Sequence, residues 1–258
     1  MKYIYISSSN VAKYTGHNKY ESLEKTVNEL LSKNGIQDRY VPKSNVEEKL
    51  VELSKDQLTA LKKELKLSPE SCLQQVEASI KANVMAGSYS ATLTEQQSKA
   101  LIDEKLTDKP ILSLVSDGIK QDLRMRRGNI KENTNLNTIQ KKKNIQINQR
   151  NSRMYTKELY RCDDYCIVMR GKVDGQSDDS IIESKNRTRC LFKELREYER
   201  VQLECYMYLT GLHKALLTEH YNDTEHCIEY IHHDGFWLDC VDRVVEFMER
   251  HVRPYLSE

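Results

Sequence analysis

No stretch of about eighteen consecutive apolar residues occurs in this sequence, so no segment is expected to span a membrane. The opening Met-Lys-Tyr-Ile-Tyr-Ile-Ser-Ser is too short and too aromatic for a secretory signal, and a soluble intracellular protein is expected. An even, regularly spaced cysteine set is also missing. Seven cysteines in 258 residues argue against a disulfide framework and for a reducing compartment. Residues 46–126 show no fixed-period repeat and no low-complexity tract. Apolar residues make up only 38% of the chain and charged residues 31%, a balance typical of long solvated helices. The length suits a single domain, 1–258, with room for a substantial core and an insertion.

A charge excess is lacking too: the net charge is +1, which by itself points to no polyanionic partner. Its distribution says more. Between Lys120 and Arg153 ten basic residues face two acids, a local +8 that leaves −7 for the rest. Such a stripe is either a solvated helix face or a phosphate-neutralising surface.

What is present is concentrated between Tyr165 and Arg187. The run from Tyr165 to Val173 reads as a strand, Gly175 to Ser180 as a turn and Ile181 to Lys185 as the return strand of a β-hairpin. Side chains alternate on a strand, so Glu183 and Lys185 share one face, and pairing brings Asp174 beside them. Two adjacent carboxylates repel unless a cation lies between them, and a hard ion such as Mg²⁺ suits oxygen ligands. Such a centre activates water and neutralises charge on a phosphate under attack. The plainer reading is a surface hairpin with a salt bridge between strand neighbours.

Further along, a helix from Glu194 to Gly211 carries Leu195, Tyr198, Gln202, Cys205, Leu209 and Leu212 on one stripe, at steps of 3, 4, 3, 4 and 3. Gln202 is the one amide in it. Leaving it unpaired inside would cost roughly 1–3 kcal/mol, so it needs partners, either backbone or active-site groups. Helices are also expected at 20–34, 46–65, 69–85, 95–106, 111–126 and 236–255, with a separate helix carrying Glu132 after Arg127-Gly128. Residues 145–160 read as a strand and turn, and 215–221 and 227–232 as two more strands. His226, Cys227, His232, His233 and Cys240 match no zinc-finger spacing, and Cys162 and Cys166 no iron–sulfur pattern.

Asp174 with Glu183-Ser184-Lys185 resembles the signature of the PD-(D/E)xK nuclease superfamily. Three flanking segments resemble its lambda-exonuclease-like viral recombinase branch: the turn from Ser7 to Gly16, the Arg127-Gly128 to Glu132 segment, and the Gln202-containing helix from Tyr198 to Gly211. The match covers about residues 7–20 and 127–250. It implies an α/β fold of the restriction-endonuclease type, a mixed central sheet flanked by helices, with a mainly helical insertion at about 36–126. It implies hydrolysis of DNA phosphodiester bonds with Mg²⁺, for which Mn²⁺ substitutes, by a 5′-3′ exonuclease working on duplex ends in recombination, repair or replication. Asp174 and Glu183 would bind metal, with the Ser184 carbonyl and Glu132 completing the shell. Lys185 would serve the nucleophile and Gln202 would position it. Ser8, Ser9, Lys13, Arg127 and Arg187 would contact nucleic acid. The branch usually has an arginine shortly before its opening turn, and here only Lys2 precedes it. Partners implied are double-stranded DNA with free ends, a single-strand annealing protein and further copies of the chain, in the cytoplasm or nucleus of a host cell if the protein is viral. The rivals are a structure-specific or nicking DNA endonuclease, an RNA endonuclease with the same site, and a catalytically silent nucleic-acid-binding protein.

Overall fold

The computed structural model describes residues 1–90 and 92–256. In chain order the elements are β1 (Lys2–Ser7), α1 (Val11–Tyr14), α2 (Leu23–Lys33), α3 (Asn45–Glu52), α4 (Lys55–Glu64), α5 (Leu73–Asn83), α6 (Glu95–Leu106), α7 (Ser116–Lys143), β2 (Tyr155–Arg161), β3 (Tyr165–Gly171), β4 (Gly175–Gln176), β5 (Ser180–Asn186), α8 (Glu197–Thr210), β6 (Lys214–Tyr221), β7 (Thr224–Ile231) and α9 (Asp234–His251). The class is mixed α/β, as expected. Among the described residues no helix is long and apolar enough to cross a membrane.

The chain folds as two compact units, residues 1–41 with 135–258 and residues 42–134. The first holds every strand found among the described residues, in two sheets: β1-β3-β2, with β1 parallel and β2 antiparallel to β3, and β4-β5-β6-β7, with β5 parallel to β6. β3 is central because Tyr165 to Met169 are all buried, which only a strand covered on both faces sustains. β6 is buried from Ala215 to His220 for the same reason. β1 alternates Ile4 and Ile6 inward against Tyr3 and Tyr5 outward, a period-two pattern that the sequence reading passed over. Its parallel register with β3 sets Ser7 opposite Arg170.

The expected long hairpin is corrected. β3 and the return strand β5 belong to different sheets, and the hairpin survives only as two-residue β4 pairing Gly175 with Ile182 and Gln176 with Ile181. Residues 172–174 carry the chain from one sheet to the other, and Asp174 closes that link. At its start, a Cβ on Gly171 would lie 2.2 Å from Ser8 Oγ and 2.9 Å from Leu209, so only glycine admits the turn after β1 to this spot.

The second unit is helical, built on an apolar core that includes Val46, Leu50, Leu61, Ile80, Ile102, Leu112 and Leu123. The helix expected over 46–65 is two helices, because Ser54 caps α4 with a reciprocal Ser54–Gln57 capping box. The helix expected over 111–126 and the one after Arg127-Gly128 are a single 28-residue element, α7. A lone glycine in a helix costs only about 1 kcal/mol, too little to break one held by packing on either side. The part of α7 up to Thr134 belongs to the helical unit and the part from Asn135 to the first unit.

Candidate active site

β5 places Glu183 and Lys185 on its α8-facing side by simple alternation. The Lys185 ammonium donates to Glu183 Oε1 at 2.6 Å and to Gln202 Oε1, on α8, at 2.9 Å. Gln202 Nε2 then donates to the Tyr206 hydroxyl, one turn on, at 2.8 Å. The amide is therefore spent at both ends, and its place in the apolar stripe is explained by side-chain partners. Asp174 is tied to the same strand: its Oδ2 accepts the Ser184 amide at 2.9 Å. This bond locks the link between the sheets onto β5 and brings the second carboxylate to the site.

Burial works against the charge on Lys185, but the Glu183 carboxylate, with Asp174 and Glu199 adding, outweighs that and raises the lysine above its ordinary value. Burial, then the charges of Glu183 and Asp174, push the Tyr206 phenol well above the usual tyrosine range, so it stays protonated. Glu183 is 3% exposed and its Oε2 has no hydrogen-bond partner. A buried carboxylate oxygen without a donor is unfavourable unless a cation meets it. The donor set would fit a hard divalent ion: two carboxylates, one with a buried oxygen that no donor meets.

Arg187, expected to touch nucleic acid, does something else. Its side chain is 8% exposed, Nε donates to Glu219 Oε1 at 2.6 Å and Nη1 to Glu199 Oε1 at 2.7 Å. Glu219 also takes the amides of Phe192 and Lys193. The triad ties β5, β6 and the first turn of α8 together, and so sets where Gln202 meets Lys185.

Lys13 likewise departs from expectation, since its ammonium pairs with Glu21 and, at 3.5 Å, with Glu29. Arg127 is 5% exposed within the helical unit. It donates to Ser90 O, Ser98 Oγ and Leu93 O and pairs with Glu95, holding the segment before α6. Much of the basic stripe is neutralised internally in the same way: Lys120 by Asp103, Arg124 by Glu95, Lys142 by Glu225. Glu132 lies on the helical-unit part of α7. Among the described residues no group of three or more His, Cys, Asp or Glu side chains gathers to hold a metal ion. Ser184 is engaged through its amide by Asp174 and through Oγ by Asn135 Nδ2 at 3.3 Å.

Beside Tyr206 opens a cavity of about 420 Å³, lined among others by Ser7, Ser8, Ser9, Lys33, Arg170 and Lys172. Ser8 is buried and Ser7 Oγ meets Ser9 Oγ at 2.8 Å. The arginine that sequence reasoning sought before the opening turn has no counterpart there. The cations come instead from the end of α2 (Lys33), from Arg170 on β3, opposite Ser7 in register, and from Lys172 just after it, and no local motif marks them.

No family model matches the chain, and no curated protein does. Among solved structures it is similar to that of SSO0001 (14% identity, 74% of this chain, 83% of that chain, TM-score 0.39). It is also similar to an alkaline exonuclease (LHK-Exo) from Laribacter hongkongensis (11% identity, 69% and 94% covered, TM-score 0.42) and to LHK-Exo in complex with dAMP (12% identity, 69% and 92%, TM-score 0.41). At these scores the likeness decides nothing about activity.

Proposed function

We propose that this chain is a Mg²⁺-dependent nuclease of the PD-(D/E)xK kind, of the lambda-exonuclease-like branch, that hydrolyses DNA from duplex ends in the 5′ to 3′ direction. The observation that carries this reading is the Glu183 carboxylate: one oxygen on Lys185, the other buried without a partner, beside Asp174.

Asp174 and Glu183 would hold the ion, with the Ser184 carbonyl assisting. A divalent cation there lowers the pKa of a bound water and neutralises charge on the phosphoryl oxygens. The chain's own groups do the rest. Lys185 spends two of its three donors on Glu183 and Gln202, and the third serves the attacking water or the charge that builds on the phosphate. Gln202 cannot swing away, because Tyr206 holds its other end. Asp174, pinned by the Ser184 amide, keeps its carboxylate in place without reorganisation.

End-directed cutting is favoured over internal cutting by the cavity. Lys33, Arg170 and Lys172 with the Ser7 and Ser9 hydroxyls line an open cavity whose donors would suit a terminal phosphate. The test is cleavage of one labelled duplex, linear with a 5′-phosphate or covalently closed, in Mg²⁺, by wild type, Glu183→Ala and Lys185→Ala. Degradation of the linear form only, abolished by both substitutions, is expected. Cutting of the circle would make the protein an endonuclease, preference for RNA an RNA endonuclease, and inactivity on every substrate a binding protein.

A further inference from the structure

Of the large apolar side chains among the described residues, Tyr20 is the most exposed, at 87%. One solvated tyrosine on a surface means nothing by itself. This one is held in place. Its amide donates to Asn18 Oδ1 at 3.0 Å, the Asn18 amide donates to Ala12 O at 2.8 Å, and Ser22, two residues on, caps α2. The ring meets Tyr198, at the start of α8, with centroids 6.2 Å apart and planes 85° from each other.

Tyr198 ties this pair to the carboxylate site. It stands one helical turn before Gln202, a spacing of about 5–6 Å between Cβ atoms, and Gln202 Oε1 takes the Lys185 ammonium. Burial first, then Glu199, raise the Tyr198 phenol above its ordinary value, while Arg187 and Lys185 pull it the other way. The ammonium is thus close enough to be felt at the ring. Lys19, exposed as well, adds a cation next to Tyr20 in the chain.

Two rings at a right angle make a corner. A third flat π-system lying on the face of one meets the other edge to face, and both arrangements are favoured. Neighbouring rings are already engaged. Phe192 lies under the guanidinium groups of Arg187 and Arg196 at 4.1 and 4.6 Å, and Phe236 under Arg200 at 3.8 Å and against His17 at 5.6 Å. Among the described residues no third ring and no cation stacks on Tyr20 or Tyr198. The group that completes the corner is flat and aromatic, and the cations beside it call for a negative charge on the side toward Lys185. A nucleobase with its phosphate has that form.

Resting on the nuclease reading above, we infer that Tyr20 and Tyr198 form a stacking site for one nucleobase of the strand whose phosphate lies at Lys185. A base inside a duplex is covered on both faces, so the occupant is unpaired. Stacking reads no hydrogen-bond pattern, so the site tolerates any base and differs among bases only in stacking strength.

Binding tests this without cleavage, by anisotropy of a labelled single-stranded pentanucleotide in EDTA, its bases present or replaced by abasic spacers, titrated with the full chain. Tyr20→Ala should weaken the base-bearing strand roughly 5- to 150-fold, the range for removing one stacking ring. Tyr20→Phe and Tyr198→Phe keep the faces and lose only hydroxyls, so they should stay within about twofold of wild type. The abasic strand should bind wild type and Tyr20→Ala alike. Equal losses on both strands would make Tyr20 a backbone contact, and no loss on either would leave the corner to another planar group, such as an aromatic side chain of a partner protein. Either result overturns the inference. Tyr20 is exposed, so urea midpoints of its variants should match wild type and separate lost affinity from lost fold.

Single-turnover cleavage in Mg²⁺ is the second readout. Wild type should cut a substrate with an abasic nucleotide at the cleaved position about tenfold more slowly than one with a base there, and Tyr20→Ala should cut both at the slower rate. A wild type that cleaves and ignores the missing base overturns the stacking site while the nuclease reading stands. A wild type that cleaves nothing overturns the nuclease reading, and anisotropy alone then decides whether the corner holds a base.

Discussion

The two units spend their polar side chains differently. In the helical unit they satisfy backbone ends: Asp122 takes the amides of Asn45 and Val46, Glu64 those of Ile111 and Leu112, and Ser54–Gln57 and Thr94–Gln97 are capping boxes. Glu95, half-buried there, lies within ion-pair distance of Lys99, Arg124 and Arg127, but its Oε1 has no hydrogen-bond partner. In the unit that carries the sheets, charged groups are packed on one another, and at Glu183 and Glu199 a buried oxygen is left over. Saturated networks hold a shape, whereas unsaturated ones store an interaction for something absent. The contrast is one of degree, since Glu95 in the helical unit also keeps a buried oxygen without a hydrogen-bond partner.

The largest effect that would break this contrast is at the leftover oxygen. Glu183→Gln, Asp174→Asn or Lys185→Met should each lower cleavage by about 10³-fold or more, the scale of losing a charge-stabilising group at the reacting centre. Glu183→Gln should at the same time leave the melting temperature unchanged or raised, since it removes a buried charge with one unmet oxygen. A large loss of stability would make Glu183 a structural residue.

Arg187→Met comes next. It strands Glu199 and Glu219, both essentially unexposed, and removing one partner of a buried ion cluster costs about 3–5 kcal/mol. Urea midpoints measure it, and DNA affinity of the folded fraction should be unaffected. Weaker DNA binding with normal stability would restore Arg187 as a phosphate contact. Arg127→Ala is the matching probe in the helical unit, where losing charge-assisted bonds to Ser90, Ser98 and Leu93 should cost about 2–3 kcal/mol.

These two arginines show why the sequence was only partly legible. Asp174, Glu183 and Lys185 could be brought together from strand alternation, and Gln202 from its place in a helical stripe, because both are local periodicities. The partners of Arg187 lie 12 and 32 residues away and those of Arg127 up to 37, so counting nearby charges overrates them as free cations. The split of the sheet at residues 172–174 escaped notice for the same reason: which strands pair is settled by burial of β3 and β6 on both faces. β1 was legible in its Ile4/Ile6 alternation and was read only as an unsuitable signal segment. The cationic cavity had no local signature at all, since it forms where five separate stretches of chain meet.

A smaller effect sharpens the comparison from the capping side. Thr94→Ala removes the side chain that accepts the Gln97 amide and should cost about 1 kcal/mol, read as a lowered urea midpoint. Cleavage per folded molecule should stay at the wild-type level, because this cap only satisfies a helix end in the helical unit. A fall in activity beyond the unfolded fraction would break the division between the two units.

The last and subtlest case is His220, a buried polar group in the sheet unit outside the carboxylate cluster. Its Nε2 has no partner, and burial lowers its pKa, with Lys142 adding to that and Glu225 opposing it. The unfolded chain takes up this proton near the ordinary value of about 6.5, before the folded one does. The stabilisation is therefore complete above that value and is lost as the pH falls toward the folded pKa, at no more than about 1.4 kcal/mol per pH unit. Carboxylates held low by their partners, Glu21 and Glu77 among them, add their own acid lability, so wild type alone cannot isolate the histidine. The difference can: His220→Phe should lose less stability than wild type between pH 7 and pH 5, by urea midpoint, with cleavage at pH 7.5 retained. Equal losses would mean that His220 meets its proton in the folded state as readily as in the unfolded one, and that its unpaired nitrogen, unlike that of the Glu183 carboxylate oxygen, stores nothing.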